Sequence, residues 1–476
     1  MTGAKREIKA GIGYTLGNIL IKGISFLSIP IFTRILDTTQ YGVFNTYMAY
    51  EAIIATLMSI GMYASIKNSK YDFPGKVDLY VSTIIRITLY VLAGGLLLVG
   101  IFRNQLTVFT GLPFVFLIVL MFQSYGSVML SISNAKLSLD YHYKKYLAFA
   151  FFNTILNVGL SIILIQFVFR ENRECGRILG SAIPLILIAC YVVFTEGKKA
   201  SFKYDKKMAK YALLFGLPMV WHYMSQTIQS QIDRIMISRI VDNASTGIYS
   251  FAYSIAVILQ VIYYSTDNVW SVWMYERMDS RDFSAIQKTV KKYILLITTI
   301  AGIMLVGSRE FIMVMSKPDY WTGVNVFIPC LLGIYMLFLY TIPAGVEYYY
   351  KETKFIAIMT SIAAVINIVM NYILISRFGY NAAAFATMIS YAVTFLGHWF
   401  VARQLTTKKD GIILYDIKTF IIPYFFLTAI GVAVYFLNPY PLIKYGICFI
   451  IVVIVGFINK GDLQNLIAAV KRKVSR

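Results

Sequence analysis

Charge is the first thing this sequence lacks. Asp, Glu, Lys and Arg make up 14% of its 476 residues, against about 25% in soluble globular domains. A solvated enzyme of this length is excluded. Disorder is excluded too, because hydrophobic types reach 58% and so much apolar surface does not stay in water. Cysteine is nearly missing. Cys175, Cys190, Cys330 and Cys448 are scattered, with neither paired nor metal-like spacing, which excludes a disulfide scaffold. Three histidines and no H-E-x-x-H leave no basis for a metal centre, and no G-x-x-x-x-G-K-[ST] occurs to bind ATP. No cofactor is expected. Residues 1–9 are polar and basic, and the first apolar stretch has no small-residue cleavage site, so no secretory signal peptide is expected.

Long apolar blocks are what the chain has in plenty. About 20 apolar residues in a helix cross a bilayer core of roughly 30 Å. Such spans read at 8–33, 41–65, 81–102, 113–133, 146–168, 177–195, 211–238, 246–267, 290–308, 322–346, 355–375, 380–401, 419–437 and 441–458. The loops between them are too short for a soluble catalytic domain, so an enzyme is not expected. The net charge of +21 would suggest nucleic acid in a soluble protein. Here it follows membrane topology instead. Of the 44 Lys and Arg residues, 31 fall on the side that holds both termini, 9 fall on the other side (Arg177 counted among them), and Lys22, Arg86, Arg234 and Lys444 lie inside spans. Basic loops stay in the cytoplasm, so both termini are expected there and no nucleic-acid partner is expected.

The chain also repeats itself. TRILDTTQYGVF (33–44) aligns with SRIVDNASTGIY (238–249) at an offset of 205, matching Arg34 with Arg239, Asp37 with Asp242 and Gly42 with Gly247. A second match at offset 210 sets Lys144 and Asn157 on Lys354 and Asn367. Six spans separate the copies, an even number, so both run the same way through the membrane. That predicts two bundles related by an axis along the membrane normal, free to rock about a central cavity. The expected fold class is an all-α polytopic membrane protein of about 14 transmembrane helices. It comprises two pseudo-symmetric six-helix bundles around a cavity, plus two C-terminal helices. The expected division is 1–195 for the N-terminal bundle, 196–210 for a basic cytoplasmic linker, 211–401 for the C-terminal bundle and 402–476 for helices 13 and 14 with a basic tail.

Polar side chains inside spans are costly, by about 2.5–3.5 kcal/mol for an ionisable group at the bilayer centre on insertion scales. They therefore face protein or water. Asn18, Lys22 and Ser25 share a face of the first span, and Glu51 lies in the second. His222, Gln226, Gln229 and Asp233 form one stripe of the seventh span, with Arg234 next to it. Tyr253, Gln260, Tyr264 and Asp267 share a face of the eighth. The candidate cavity set is Asn18, Lys22, Ser25, Glu51, Gln226, Gln229, Asp233, Arg234, Tyr253 and Gln260. Other uses stay open. Asn157 and Asn367 could bond between helices, Glu51 could pair with Lys22, Arg234 could snorkel outward, and His222 and His398 could be satisfied bundle residues. Arg34, Asp37, Arg239 and Asp242 suit turn-fixing ion pairs at span ends.

The segments PIFTRILDTTQYGVFNTY (30–47), FGLPMVWHYMSQTIQSQIDRIMIS (215–238), KETKFI (351–356) and FGYNAAAFATMISY (378–391) resemble polysaccharide flippases of the multidrug/oligosaccharidyl-lipid/polysaccharide exporter superfamily. The resemblance covers nearly the whole chain. It implies export of an undecaprenyl-pyrophosphate-linked oligosaccharide across the bacterial cytoplasmic membrane for capsule, O-antigen or a related polymer. It also implies coupling to H+ or Na+ and a polysaccharide polymerase as a downstream partner. In related flippases a basic residue of the first helix lines the cavity, which points to Lys22. Three alternatives stand beside it: a teichoic-acid or peptidoglycan-precursor flippase, an ion-coupled multidrug antiporter, and, from a different class, a membrane polymerase.

Overall fold

The computed structural model describes residues 17, 22–140 and 142–446. Asn18, the basic start, most of the fourteenth span and the basic tail lie outside the described residues. Thirteen of the expected spans meet helices. In order these are α1 (22–35), α2 (Thr38–Ser59), α4 (Val77–Ile101), α6 (Phe114–Leu139), α7 (Tyr143–Ile163), α8 (Arg173–Lys199), α9 (Lys206–Ile240), the pair α10 (Asn243–Ala256) and α11 (Ile258–Asp279), α12 (Phe283–Val306), α14 (Val324–Tyr349), α15 (Thr353–Phe378), α16 (Ala383–Asp410) and α17 (Lys418–Leu437). Short helices α3 (Ile66–Asp72), α5 (Arg103–Thr110) and α13 (Ser308–Met315) join them. No strand occurs among the described residues. Ten helical spans there are long and apolar enough to cross a membrane, or 11 when α2 is joined to its continuation bent by 51°. The chain is thus a multi-pass membrane protein, and the described residues stop short of a count of fourteen.

The repeat is written into the backbone. Asp37 caps α2, its Oδ1 accepting from the Gln40 N–H at 2.8 Å while the Gln40 side chain accepts from the Asp37 N–H at 3.2 Å. Asp242 caps α10, its Oδ1 accepting from the Ser245 N–H at 2.6 Å. Both satisfy N–H groups that a helix start leaves orphaned. The expectation of ion pairs at these turns is therefore corrected: the carboxylates are occupied by backbone, and the arginines reach elsewhere. Further along, Phe114 and Val324, Tyr143 and Thr353, and Arg173 and Ala383 open corresponding helices at the 210 offset.

Gly42 and Gly247 fix how the halves meet. A Cβ on Gly42 would fall on the carbonyl oxygen of Asn243, and one on Gly247 would fall on that of Thr38. The first turns of α2 and α10 thus touch backbone to backbone, which only glycine allows. Two helices that start together run in parallel, so the repeat is not inverted. Two buried apolar clusters lie on either side. One gathers residues from 44 to 212 together with Ile235 of α9. The other gathers residues from 237 to 434 together with Phe32, Leu36, Tyr41 and Ile165. The opening helix of each half therefore lends apolar side chains to the opposite core.

Candidate functional site

A chamber of about 730 Å³ lies between the halves, walled by α1, α2, α7, α8, α9, α10 and α11. Its size is that of a ligand site for a sizeable molecule. Two smaller lobes adjoin it. One of about 160 Å³ shares Ser230, Gln260 and Tyr264 with it. Another of about 320 Å³, between α2, α6 and α9, shares Ser230.

Among the described residues three cations line the main chamber and no carboxylate does. Arg177 is placed by close packing of α7 on α8, where Gly180 leaves room for Ser161. Its Nη1 donates to Asn157 Oδ1 at 2.6 Å and to Ser161 Oγ at 2.8 Å. Its guanidinium lies over Phe32 at 3.9 Å and Phe44 at 4.3 Å. It is 9% exposed, and among the described residues its Nε has no partner and it makes no ion pair. Arg234 sits over the Tyr253 ring at 4.8 Å, and its Nη1 donates to the Ser230 carbonyl at 2.6 Å. Lys22 is exposed to the chamber and, among the described residues, also lacks an ion pair. Cations stripped of water and left without counter-ions are expensive, and cation–π contacts offset only part of that cost.

The predicted residues divide. Lys22, Ser25, Arg234, Tyr253 and Gln260 line the main chamber, and Gln226 lines both lobes. Gln229 reaches the small lobe, but its amide donates to the Thr360 carbonyl at 2.9 Å. Asp233 is not on the chamber wall. It is 1% exposed and packed into the C-terminal half, where Tyr249 and, at 2.6 and 2.7 Å, Asn371 and Thr387 donate to it. Glu51 lies behind the wall as well, accepting from Ser127 at 2.6 Å and making no pair with Lys22. Asp267 lines none of these cavities. Asn157 bonds across helices to Arg177 and also lines the chamber. Asn367 stays inside its bundle, near Thr387 and Ser390. His398 pairs through Nδ1 with Glu347 at 2.7 Å, both fully buried.

At the Gly42 end a reciprocal pair of links joins the halves. Arg34 donates to the Val314 carbonyl at 2.8 Å, and Arg239 donates to the Phe109 carbonyl. Each guanidinium crosses to the other half and meets the last turn of a short helix, α13 or α5, where the dipole favours a cation. Arg34 and Arg239 differ by 205, and so do Phe109 and Val314. Thr33 adds a bond to the Met315 carbonyl at 2.7 Å. At the same end Tyr320 donates to the Asp37 carbonyl at 2.9 Å.

A family model described as "Polysaccharide biosynthesis protein" matches residues 8–270. A Haemophilus influenzae protein named for the Lsg locus is 22% identical over 76% of this chain and 89% of its own length. The "Probable low-salt glycan biosynthesis flippase Agl15" of Haloferax volcanii is 22% identical over 82% of each. Among solved structures, an inward-facing multidrug resistance MATE family transporter of the MOP superfamily superposes with a TM-score of 0.67 at 11% identity, over 82% of this chain and 96% of its own. The lipid II flippase MurJ, in an inward closed conformation, gives 0.65 at 14% identity over 93% and 100%. At such identities the structural matches establish the fold.

Proposed function

Because this chain belongs to the polysaccharide biosynthesis protein family and shares the fold of MOP superfamily transporters, we propose that it is a flippase for a lipid-linked glycan. The cargo proposed is an undecaprenyl-diphosphate-linked oligosaccharide, moved from the inner to the outer leaflet of a bacterial cytoplasmic membrane. The observation that carries this is the chamber with Lys22, Arg177 and Arg234 and, among the described residues, no carboxylate. A diphosphate offers acceptor oxygens and negative charge. Guanidinium forks meet it in bidentate geometry, and Lys22 adds a mobile point charge. A cationic drug would meet repulsion there, so an antiporter for such drugs is disfavoured. Once outside, the glycan would pass to a polymerase.

Alternating access follows from the two halves. The basic-loop count supports both termini in the cytoplasm, so the Gly42 end faces out. Rocking would part the Arg34 and Arg239 links and open the chamber outward. Lys22→Ala is expected to abolish surface polysaccharide while the protein still accumulates in the membrane. Normal polysaccharide in that variant takes Lys22 out of the site.

Asp233 is proposed to couple this movement to an H+ or Na+ gradient. A carboxylate that, among the described residues, makes no ion pair, with the Asn371 Oδ1 buried and unpartnered close by, supports an exchangeable cation there. In vesicles, collapsing both gradients is expected to stop net translocation, and Asp233→Asn is expected to respond to neither. Transport that continues unchanged after the collapse removes coupling from the scheme.

A further inference from the structure

We propose that the 320 Å³ lobe between α2, α6 and α9 is a subsite for uncharged sugar, which selects neutral over acidic glycans. The proposal deepens the flippase assignment and rests on it. Among the described residues no Lys, Arg, Asp or Glu lines this lobe, while eight hydroxyls, six of Ser or Thr and two of Tyr, and the Gln226 amide are present.

The direction of those hydroxyls matters. Thr56 donates to the Ala52 carbonyl at 2.8 Å, Ser59 to the Thr56 carbonyl at 2.8 Å, Ser131 to the Ser127 carbonyl at 2.9 Å, and Ser230 to the Thr227 carbonyl at 3.1 Å. Ser127 gives its proton to Glu51. A hydroxyl with its proton committed keeps lone pairs to accept with. The Ser and Thr part of the wall is thus rich in acceptors, and the lobe's other donors are the Gln226 amide and the Tyr63 and Tyr223 phenols. Sugar hydroxyls can donate to those acceptors. Carboxylate, sulfate and phosphate only accept, and find no cation there and only the Gln226 amide and two phenols to accept from. The main chamber is the converse, since ammonium and guanidinium groups only donate. Two adjoining spaces of opposite hydrogen-bonding sense suit a cargo with an acceptor end and a hydroxyl-bearing end.

Aromatic rings from both halves complete the lobe. Tyr63, beyond α2, stacks on Tyr223 of α9 with centroids 5.5 Å apart and planes at 19°. Ring faces give the C–H side of a pyranose an apolar surface.

The test uses purified full-length protein in lipid nanodiscs and three probes sharing one prenyl chain. They are the prenyl diphosphate alone, the same lipid carrying a neutral dihexose, and the same lipid carrying a hexose–hexuronic acid. The neutral conjugate is expected to bind at least about tenfold more tightly than the uronate, from an unpaired charge at the wall, and more tightly than the prenyl diphosphate alone. Ser131→Arg, which adds a donor, is expected to shrink or reverse the gap. Equal or tighter binding of the uronate overturns the subsite, as does a neutral sugar that adds nothing to the prenyl diphosphate. In both cases the flippase assignment survives as long as the prenyl diphosphate binds in a manner that Arg234→Ala weakens. Failure of all three probes overturns both.

Discussion

Gly42→Val is expected to unseat the proposed outer seal and stop transport in a protein that still folds and inserts. The blocking atom is the Asn243 carbonyl oxygen, which belongs to the backbone of the opposite half. No rotamer can move it aside, so the steric cost lands on the contact between halves. Overpacking of this kind costs about 1–3 kcal/mol, enough to shift a two-state equilibrium by roughly tenfold to a hundredfold. Gly247→Val strikes the Thr38 carbonyl from the other side, and the pseudo-symmetry requires a matching effect. Gly100 has nothing within 4 Å of an added Cβ, so Gly100→Val is the control. The readout is labelling of Ser230→Cys in the chamber by an impermeant maleimide from outside, in cells expressing each variant. Labelling should rise at least about fivefold for the Gly42 and Gly247 variants. If Gly42→Val labels and transports like Gly100→Val, the seal lies elsewhere.

The same contact explains what could be read from sequence and what could not. Asp37, Asp242, Gly42 and Gly247 hold their places because backbone geometry allows few substitutes: a helix start needs a cap, and a close crossing needs a missing Cβ. Constraints of that kind leave a pattern at a fixed offset, so the duplication and its parallel sense were legible. Side-chain direction on α9 was not. His222, Gln226, Gln229 and Asp233 share a stripe, but α9 sits between the halves and has polar neighbours on two sides. Asp233 turns to Asn371 and Thr387, while Ser230 and Arg234 face the chamber and Tyr223 and Thr227 the 320 Å³ lobe. The Lys22–Glu51 pairing was a guess from charge alone, and Ser127 took that place.

Arg177 was missed for another reason. It stands at the edge of an apolar run, where a basic residue reads as loop, yet α8 begins earlier, at Arg173. One turn of helix carries it from the membrane rim into the chamber wall. A signal was there in Gly176 and Gly180 on either side of it. Small residues at helical spacing mark a face where another helix comes close, and a charge on such a face has to be used or satisfied.

Removing both chamber arginines tests that use most severely. The double variant Arg177→Ala, Arg234→Ala is expected to lose binding of a short-chain prenyl diphosphate by at least about a hundredfold, since a hydrogen bond to a charged group contributes about 1.5–3 kcal/mol. Each single variant should lose about tenfold or more. Arg177 also holds Asn157 and Ser161, and its loss alone could be structural. Arg177→Lys separates the two roles, because it keeps the charge and gives up the planar fork. A fork clamped on diphosphate predicts that lysine at 177 stays well below wild type in binding, with unchanged melting in detergent. Arg234 lies over Tyr253, so Tyr253→Phe, which keeps the ring, should leave binding within about twofold, while Tyr253→Ala should weaken it by more. Full binding by the double alanine variant would leave the chamber's positive charge without a purpose and would end the case for a diphosphate cargo.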